Sequence, residues 1–433
     1  MERLLTLALA LVLVGAGPSF SGQKVTLMAD ATLDAIRTTV SGSIAKSHII
    51  ALSRLHRVQA TEGYHRAAEY VRRQATAYGL EDVEIIALPA DGETNYHHFR
   101  AYYGWNVEEG ALWEVSPKSR RIADFEEMPV ALADYSQDAE VTAPLIDVGP
   151  GTRGEDYSGK NVRDKIVLAG GPPAAVHRQA VDRRGAAGIL SYFPNQRTGW
   201  SGDDPELVRW GHLDPFNTGN RFAFMIGPGK ARELQARLAG GEKIELHARV
   251  RARLVPGHFE VVTAVLPGSE LPGEEILFTC HLDHQNPGAN DNASGAATLL
   301  EVARTLSRLV HAGTLAPPRR TIRFVWPPEI AGTYAFLSRH PEIVARLKAG
   351  IHMDMVGGIP PTTRSVFFLS RPPASLPSFI GDVGEAFFDY VVDTSRRAAA
   401  SGDFSEAIVS PEGTKDDFVA EVQALGRLGQ LQV

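Results

Sequence analysis

The order of apolar segments after Val261 is the strongest constraint on the fold of this chain. Short apolar runs that predict strands alternate with longer amphipathic runs that predict helices, and loops rich in Gly, Pro or Asn separate them. Such alternation is typical of a mainly parallel sheet with helices on both faces, so we expect an α/β fold. The predicted strands are 276–280, 321–326, 350–355 and 366–369, and the predicted helices are 296–310, 334–347 and 377–392.

Three side chains able to bind a metal lie at or just beyond the carboxyl ends of three predicted strands: His281, Glu329 and Asp354. In an open α/β sheet, ligand sites form outside the carboxyl ends of the strands. A fourth acid, Asp291, lies in a loop of small and amide residues immediately before the predicted helix 296–310. The sequence therefore predicts that these four side chains meet at one edge of the sheet.

The chemistry of this set suits zinc. Imidazole and carboxylate are both ordinary zinc ligands, and the carboxylate of Asp291 could bridge two ions. Asp283 lies two residues beyond His281, so on an extended backbone it could accept the free imidazole N–H and fix the ring's tautomer. A two-metal site would acidify a water and polarise a peptide carbonyl. Such hydrolysis also needs a general base, for which Glu329 is the best candidate.

The segment 281–295, HLDHQNPGANDNASG, resembles the first metal-ligand segment of the di-zinc aminopeptidases, a family of co-catalytic zinc exopeptidases. Residues 351–357, IHMDMVG, are similar to a later strand of that family. The resemblance extends over residues 60–90 and 255–370. It implies two zinc ions as cofactor, with His281 and Asp354 on one ion, Asp291 as the bridge and Asp283 orienting His281.

Residues 129–252 differ from the rest, with short apolar runs separated by Gly, Pro and Asp. Segments 143–168 and 180–189 resemble a protease-associated domain, a non-catalytic module inserted in such peptidases, and we expect no ligand cluster there. The expected organisation is a signal peptide at 1–22, the first part of the peptidase domain at 23–128, a strand-rich α/β insert at 129–252 and the remaining peptidase domain at 253–433.

Two features depart from the family's pattern. The family has two adjacent glutamates, one the general base and one a ligand of the second zinc, but the segment 326–333, WPPEIAGT, has only Glu329. The family's last ligand is a histidine near the C-terminus, and no histidine follows His352. We therefore expect the peptidase domain to be incomplete at its C-terminal end. Asp403, Asp416 and Asp417 are weak substitutes for that ligand.

Two functional hypotheses follow. The first is a zinc-dependent exopeptidase, primarily an aminopeptidase, that hydrolyses N-terminal peptide bonds with metal-activated water. The second is an inactive or truncated homologue that keeps the scaffold for binding or structure. Carboxypeptidases and dipeptidases share this scaffold and stay open as alternatives.

Composition narrows the partners and the location. The net charge of −7 over 433 residues, without a basic stripe, argues against nucleic acid and leaves a peptide substrate as the expected partner. Arg3 and the apolar run 4–14 read as a secretory signal, and no later stretch reaches the ~18 apolar residues of a membrane span. We expect a secreted or periplasmic protein without an internal disulfide, since Cys280 is the single cysteine. The oligomeric state is left open.

Overall fold

Two large β-sheets organise the chain in the computed structural model, which describes residues 27–194, 204–358, 369–373, 375–376 and 378–401. The expected signal peptide, most of the predicted strand 366–369 and the three acids Asp403, Asp416 and Asp417 lie outside these ranges. In the described residues, no helix is both long and apolar enough to cross a membrane.

The helices and strands are numbered here in chain order. The helices are α1 (Asp30–Thr39), α2 (Gly42–Leu52), α3 (Glu62–Ala77), α4 (Pro173–His177), α5 (Pro228–Ala239), α6 (Gly295–His311), α7 (Ala331–Arg339), α8 (Pro341–Arg346) and α9 (Ile380–Ser401). The strands are β1 (Glu81–Ala90), β2 (Asn95–Tyr96), β3 (Phe99–Arg100), β4 (Gly104–Ser116), β5 (Arg120–Asp124), β6 (Ala139–Asp147), β7 (Ile166–Ala169), β8 (Gly188–Ser191), β9 (Ala223–Met225), β10 (Glu245–Val255), β11 (Gly257–Leu266), β12 (Leu271–Thr279), β13 (Arg320–Trp326) and β14 (Leu347–His352).

The first sheet has five strands in the order β1-β11-β13-β12-β14. Strand β12 runs parallel to both β13 and β14, whereas β11 is antiparallel to β13 and to β1. The expected α/β sheet is therefore present, with its parallel part formed by β13, β12 and β14. Because these three strands point the same way, their carboxyl ends meet at one edge.

Helices α3 and α6 pack on this sheet through apolar faces. Thr61 caps α3 by accepting a hydrogen bond from the Tyr64 amide, and the helix buries Tyr64, Ala68 and Val71 on one side. Nearly every turn of α6 contributes a buried residue, and Trp326 at the end of β13 donates from its indole nitrogen to the Ala296 carbonyl at 3.2 Å. The helix that follows Asp291 is thereby fixed against the strand that precedes Glu329.

The sequence-based element bounds need correction at several points, and the predicted helix 377–392 is observed as Ile380–Ser401. The predicted helix 334–347 is two helices, α7 and α8, and the predicted strand 350–355 begins earlier, at Leu347. Pro341 explains the break, because proline has no N–H for an internal helical bond and is tolerated in the first turn of a new helix. The predictions for β12, β13 and α6 are confirmed to within five residues at each end.

The second sheet has seven strands in the order β5-β4-β10-β6-β7-β8-β9. It includes β4 and β5, which precede residue 129, so it draws on more of the chain than the predicted insert. It has its own apolar core, which contains Trp105, Leu168 and Phe224. The two sheets are joined directly, since β10 of the second is followed by β11 of the first after Pro256.

Candidate metal centre

His281 is buried just beyond the end of β12, with 3% of its side chain exposed. Its Nδ1 lies 3.0 Å from the Asp283 carbonyl oxygen and 3.5 Å from Asp283 Oδ1. Its Nε2 lies 3.1 Å from Asp291 Oδ1 and 3.3 Å from Asp354 Oδ1. A proton on Nδ1 satisfies the carbonyl and leaves the Nε2 lone pair directed at two carboxylate oxygens, which is the arrangement of a metal-binding histidine.

The loop before α6 brings Asp291 to His281 by a tight turn. Gly288 has φ +50°, and a Cβ there would lie 2.6 Å from the Asp291 carbonyl oxygen and 2.8 Å from that of Gln285. Only glycine fits such a position without displacing backbone atoms.

Asn292 holds the Asp354 segment in place. Its buried amide donates to the Met353 carbonyl at 3.0 Å, and its Oδ1 accepts from the Met355 amide at 3.2 Å and from the Gly295 amide at 2.9 Å. These bonds fix the backbone on both sides of Asp354. The local sequence pattern indicates only a loop at Asn292 and does not predict this role.

Glu329 reaches the same edge from β13. After Trp326 the chain passes through two prolines, and the Glu329 amide donates to Asp283 Oδ1 at 2.6 Å. Gln59 donates to Asp283 Oδ2 at 2.9 Å and to the Glu329 carbonyl at 3.1 Å. The structure thus brings together every predicted site residue: ligand atoms of His281, Asp291 and Asp354 lie within 4.8 Å of one another, as do those of His281, Asp283 and Glu329.

The electrostatics of this cluster favour a bound cation. Burial alone would lower the pKa of His281, but the carboxylates of Asp283, Asp291 and Asp354 raise it well above its ordinary value. Burial would raise the pKa of Asp291, yet the two histidines beside it hold that pKa below its usual range. Burial and the neighbouring carboxylates raise the pKa of Glu329. Carboxylates that raise the pKa of a buried histidine this far concentrate negative charge around it, and a bound metal ion can neutralise that charge.

Two further residues near this cluster, His284 and Arg57, are not indicated by the sequence pattern. His284 Nε2 lies 3.4 Å from Asp291 Oδ2. Arg57 is fully buried, and its guanidinium donates to the carbonyls of Leu282, Pro287 and Gly288 at 2.8, 3.2 and 2.6 Å. Its position about 230 residues earlier in the chain gave no sequence signal for this contact.

The cluster opens into a pocket of about 300 Å³. Glu329, Asp283 and Asp291 line it together with Tyr102 and with segments between β5 and β9, which supply Tyr135 and Trp210. Asp134, from the segment 129–252, is a buried carboxylate that also lines the pocket and accepts a hydrogen bond from Gln285.

The donor set fits zinc. His281 supplies an imidazole nitrogen, and Asp291 and Asp354 supply carboxylate oxygens, so three protein ligands are available, and Asp291 also lines the pocket. Backbone contacts fix each of the three.

Comparison with known proteins gives a family match for part of the chain. Residues 261–400 match the model of Peptidase family M28. The M28 match spans β11 to α9, the region that carries all the predicted site residues.

Curated relatives of this chain include two aminopeptidases. One, from Pseudomonas aeruginosa strain UCBPP-PA14, is 26% identical over 366 residues, which cover 78% of this chain and 62% of that protein. The other, aminopeptidase NAALADL1 of Mus musculus, is 30% identical over 206 residues, which cover 43% of this chain and 26% of that protein. The chain thus spans less than two thirds of the length of either relative.

Solved structures support the fold. A zinc aminopeptidase from Bacillus subtilis aligns with a TM-score of 0.51 at 17% identity, covering 89% of this chain and 92% of that one. A peptidase M28 precursor from Shewanella amazonensis SB2B aligns with a TM-score of 0.53 at 16% identity, covering 74% of this chain and 73% of that one. At these identities the likeness concerns the α/β fold.

Proposed function

We propose that this chain is a zinc-dependent aminopeptidase that hydrolyses N-terminal peptide bonds. The observation that carries the proposal is the convergence of His281 Nε2 with carboxylate oxygens of Asp291 and Asp354 beside a pocket lined by Glu329. We assign the first three as zinc ligands and Glu329 as the general base. When bound, zinc would supply a Lewis acid that polarises the scissile carbonyl and acidifies the attacking water.

The side chains around the ligands have separate roles in proton transfer and in positioning. Glu329 is exposed to the pocket and its pKa is raised, so its carboxylate can take a proton from water and return it to the leaving amine. Asp283 accepts a hydrogen bond from the Glu329 amide and lies beside His281 Nδ1, so it positions both residues. Gln59 ties Asp283 and Glu329 together from the first part of the chain.

The pocket suits the end of a peptide. Its volume of about 300 Å³ is enough for a terminal residue and its peptide bond. Tyr102, Trp210 and Pro215 offer apolar surface for the side chain of that residue. These features support an exopeptidase, and the aminopeptidases among the relatives support action at the N-terminus.

Two further assignments belong to this proposal. We infer that residues 129–252 are an inserted protease-associated domain that shapes access to the pocket, supported by the Asp134 and Trp210 contributions to its wall. We also infer export from the cytoplasm, supported by Arg3 and the apolar run 4–14. The N-terminal sequence of the protein recovered from its native host tests the second inference.

Hydrolysis of aminoacyl p-nitroanilides by the full chain tests the activity. We expect release of p-nitroaniline that a zinc chelator abolishes and added zinc restores. Peptides with a free N-terminus should be shortened by one residue at a time, whereas acetylated peptides should resist.

Two results would contradict the proposal. Shortening of the acetylated peptides from the C-terminus would show a carboxypeptidase instead. Zinc binding without hydrolysis of any of these substrates would favour the inactive homologue that keeps the scaffold for binding.

A further inference from the structure

We propose that His284 is a ligand of a second metal ion, which it binds together with Asp291 Oδ2. This inference rests on the proposed zinc-dependent function, because Asp291 would then carry one ion on each carboxylate oxygen. The expected occupant is a second zinc, since imidazole and carboxylate form its ordinary ligand set.

His284 and His281 have parallel arrangements on the two sides of Asp291. His281 Nε2 faces Asp291 Oδ1 at 3.1 Å, and His284 Nε2 faces Asp291 Oδ2 at 3.4 Å. Each ring places its Nδ1 3.0 Å from a backbone carbonyl oxygen, that of Asp283 for His281 and that of Gln285 for His284. A proton on Nδ1 satisfies the carbonyl in both cases and leaves Nε2 free to bind a metal.

The backbone of His284 is held rigidly. Its amide donates to the Arg57 carbonyl at 3.1 Å, and its carbonyl accepts from the Arg57 amide at 3.0 Å. The guanidinium of Arg57 binds the carbonyls of Leu282 and Gly288 on either side of this bridge. A ring on so fixed a backbone is preorganised for metal binding, which a mobile surface histidine is not.

The His284 side opens more widely than the His281 side. His284 is 18% exposed and lines the pocket, whereas His281 is 3% exposed. Among the described residues, Asp354 adds a third ligand next to His281, while His284 shares only Asp291. We therefore expect the ion at His284 to bind more weakly, with its remaining positions open to water and substrate.

Zinc content of the full-length protein, measured by mass spectrometry after equilibrium dialysis, tests the assignment without reference to activity. We expect about two zinc ions per chain in the unmodified protein, about one in His284→Ala and none held firmly in Asp291→Ala. His212→Ala is the matched control, because His212 lines the same pocket but stacks on Trp210, and it should keep two ions.

Several outcomes decide the matter. Two ions in His284→Ala, or only one in the unmodified chain, would overturn the inference. If the chain with one ion still hydrolyses aminoacyl anilides in a chelator-sensitive way, the proposed function stands while the His284 assignment fails. If the chain binds no zinc and hydrolyses nothing, both fail.

A measurement on the unmodified protein covers the case in which His284→Ala does not fold. Diethyl pyrocarbonate modifies free imidazole nitrogens, and peptide mass spectrometry locates the modified histidine. We expect the first equivalent of zinc to leave His284 reactive and the second to protect it at least severalfold. Unchanged reactivity of His284 with two equivalents bound would refute the assignment.

Discussion

The two sheets contribute to the pocket in different ways. In the five-stranded sheet, β12 and β13 end next to His281 and Glu329, and the loop after β14 carries Asp354, so the chemistry lies at strand ends. The seven-stranded sheet has the apolar core around Trp105 and Phe224, and its strands reach the pocket only through connecting segments. One sheet fixes reacting groups just beyond its strand ends, and the other side supplies further lining of the pocket.

This difference has a physical basis. The ends of parallel strands are rigid and share one edge, so they can hold ligands to the tolerance that a metal requires. Connecting segments can change in length and sequence at small cost to the core, which suits them to substrate contacts. Substitutions at the strand ends of the five-stranded sheet should therefore affect catalysis and metal binding. Substitutions on the side of the seven-stranded sheet should affect protein stability and substrate binding.

Replacing Glu329, the proposed general base, should have the largest effect on the five-stranded side. Glu329→Gln removes the proton acceptor while leaving the backbone bond to Asp283, so we expect kcat to fall by about 10²–10⁴-fold. Zinc content should not change. Steady-state kinetics on an aminoacyl anilide, with zinc analysis of the same preparation, measure both.

A control variant in the connection between β6 and β7 of the seven-stranded sheet sharpens the result. Glu155→Gln alters an exposed carboxylate whose side chain is 71% exposed, and its kcat should equal that of the unmodified chain. Loss of zinc in Glu329→Gln would instead identify Glu329 as a metal ligand and remove it from the role of base.

Asp283 should show a smaller effect of a different kind. Asp283→Asn keeps an acceptor for the Glu329 amide but removes the negative charge beside His281 Nδ1. We expect the affinity for zinc to fall by about 10–100-fold, because partners of a ligating histidine raise its basicity and orient it. Competition with a chromophoric chelator measures the affinity. Equal affinities in both proteins would show that the Asp283 carbonyl alone holds the ring.

The sequence was sufficient to predict the regular part of the site. Strands β12 and β13 and helix α6 follow from apolar patterning, and the positions of His281 and Glu329 follow from where those strands end. The glycine and asparagine residues before α6 indicate a tight turn, which places Asp291 at the same edge. These are local signals combined with one rule of sheet topology.

The remaining site residues depend on contacts between distant parts of the chain. Arg57 fixes the loop of His284 across more than 200 residues, and nothing near position 57 indicates a buried guanidinium. Asp134 reaches the pocket only because of how the two sheets pack. The role of His284 depends on the direction of its ring relative to Asp291, which local patterning does not determine.

The smallest expected effect concerns Asp134, which lines the pocket from the connection between β5 and β6. Burial raises its pKa to about 7, although Gln285 donates to it, so the folded protein holds this proton more tightly than the unfolded chain. The stability contributed by the protonated form is complete below about pH 4 and is lost as the pH rises toward 7.

The side chain of Asp134→Asn cannot ionise. In zinc-free protein, the free energy of unfolding of Asp134→Asn minus that of the unmodified chain should therefore rise by about 1.4 kcal/mol per pH unit between pH 5 and pH 6. Urea unfolding at several pH values measures the difference. Glu155→Gln should show no such trend, and a constant difference between Asp134→Asn and the unmodified chain would mean that water or a neighbour keeps the Asp134 carboxylate charged when folded.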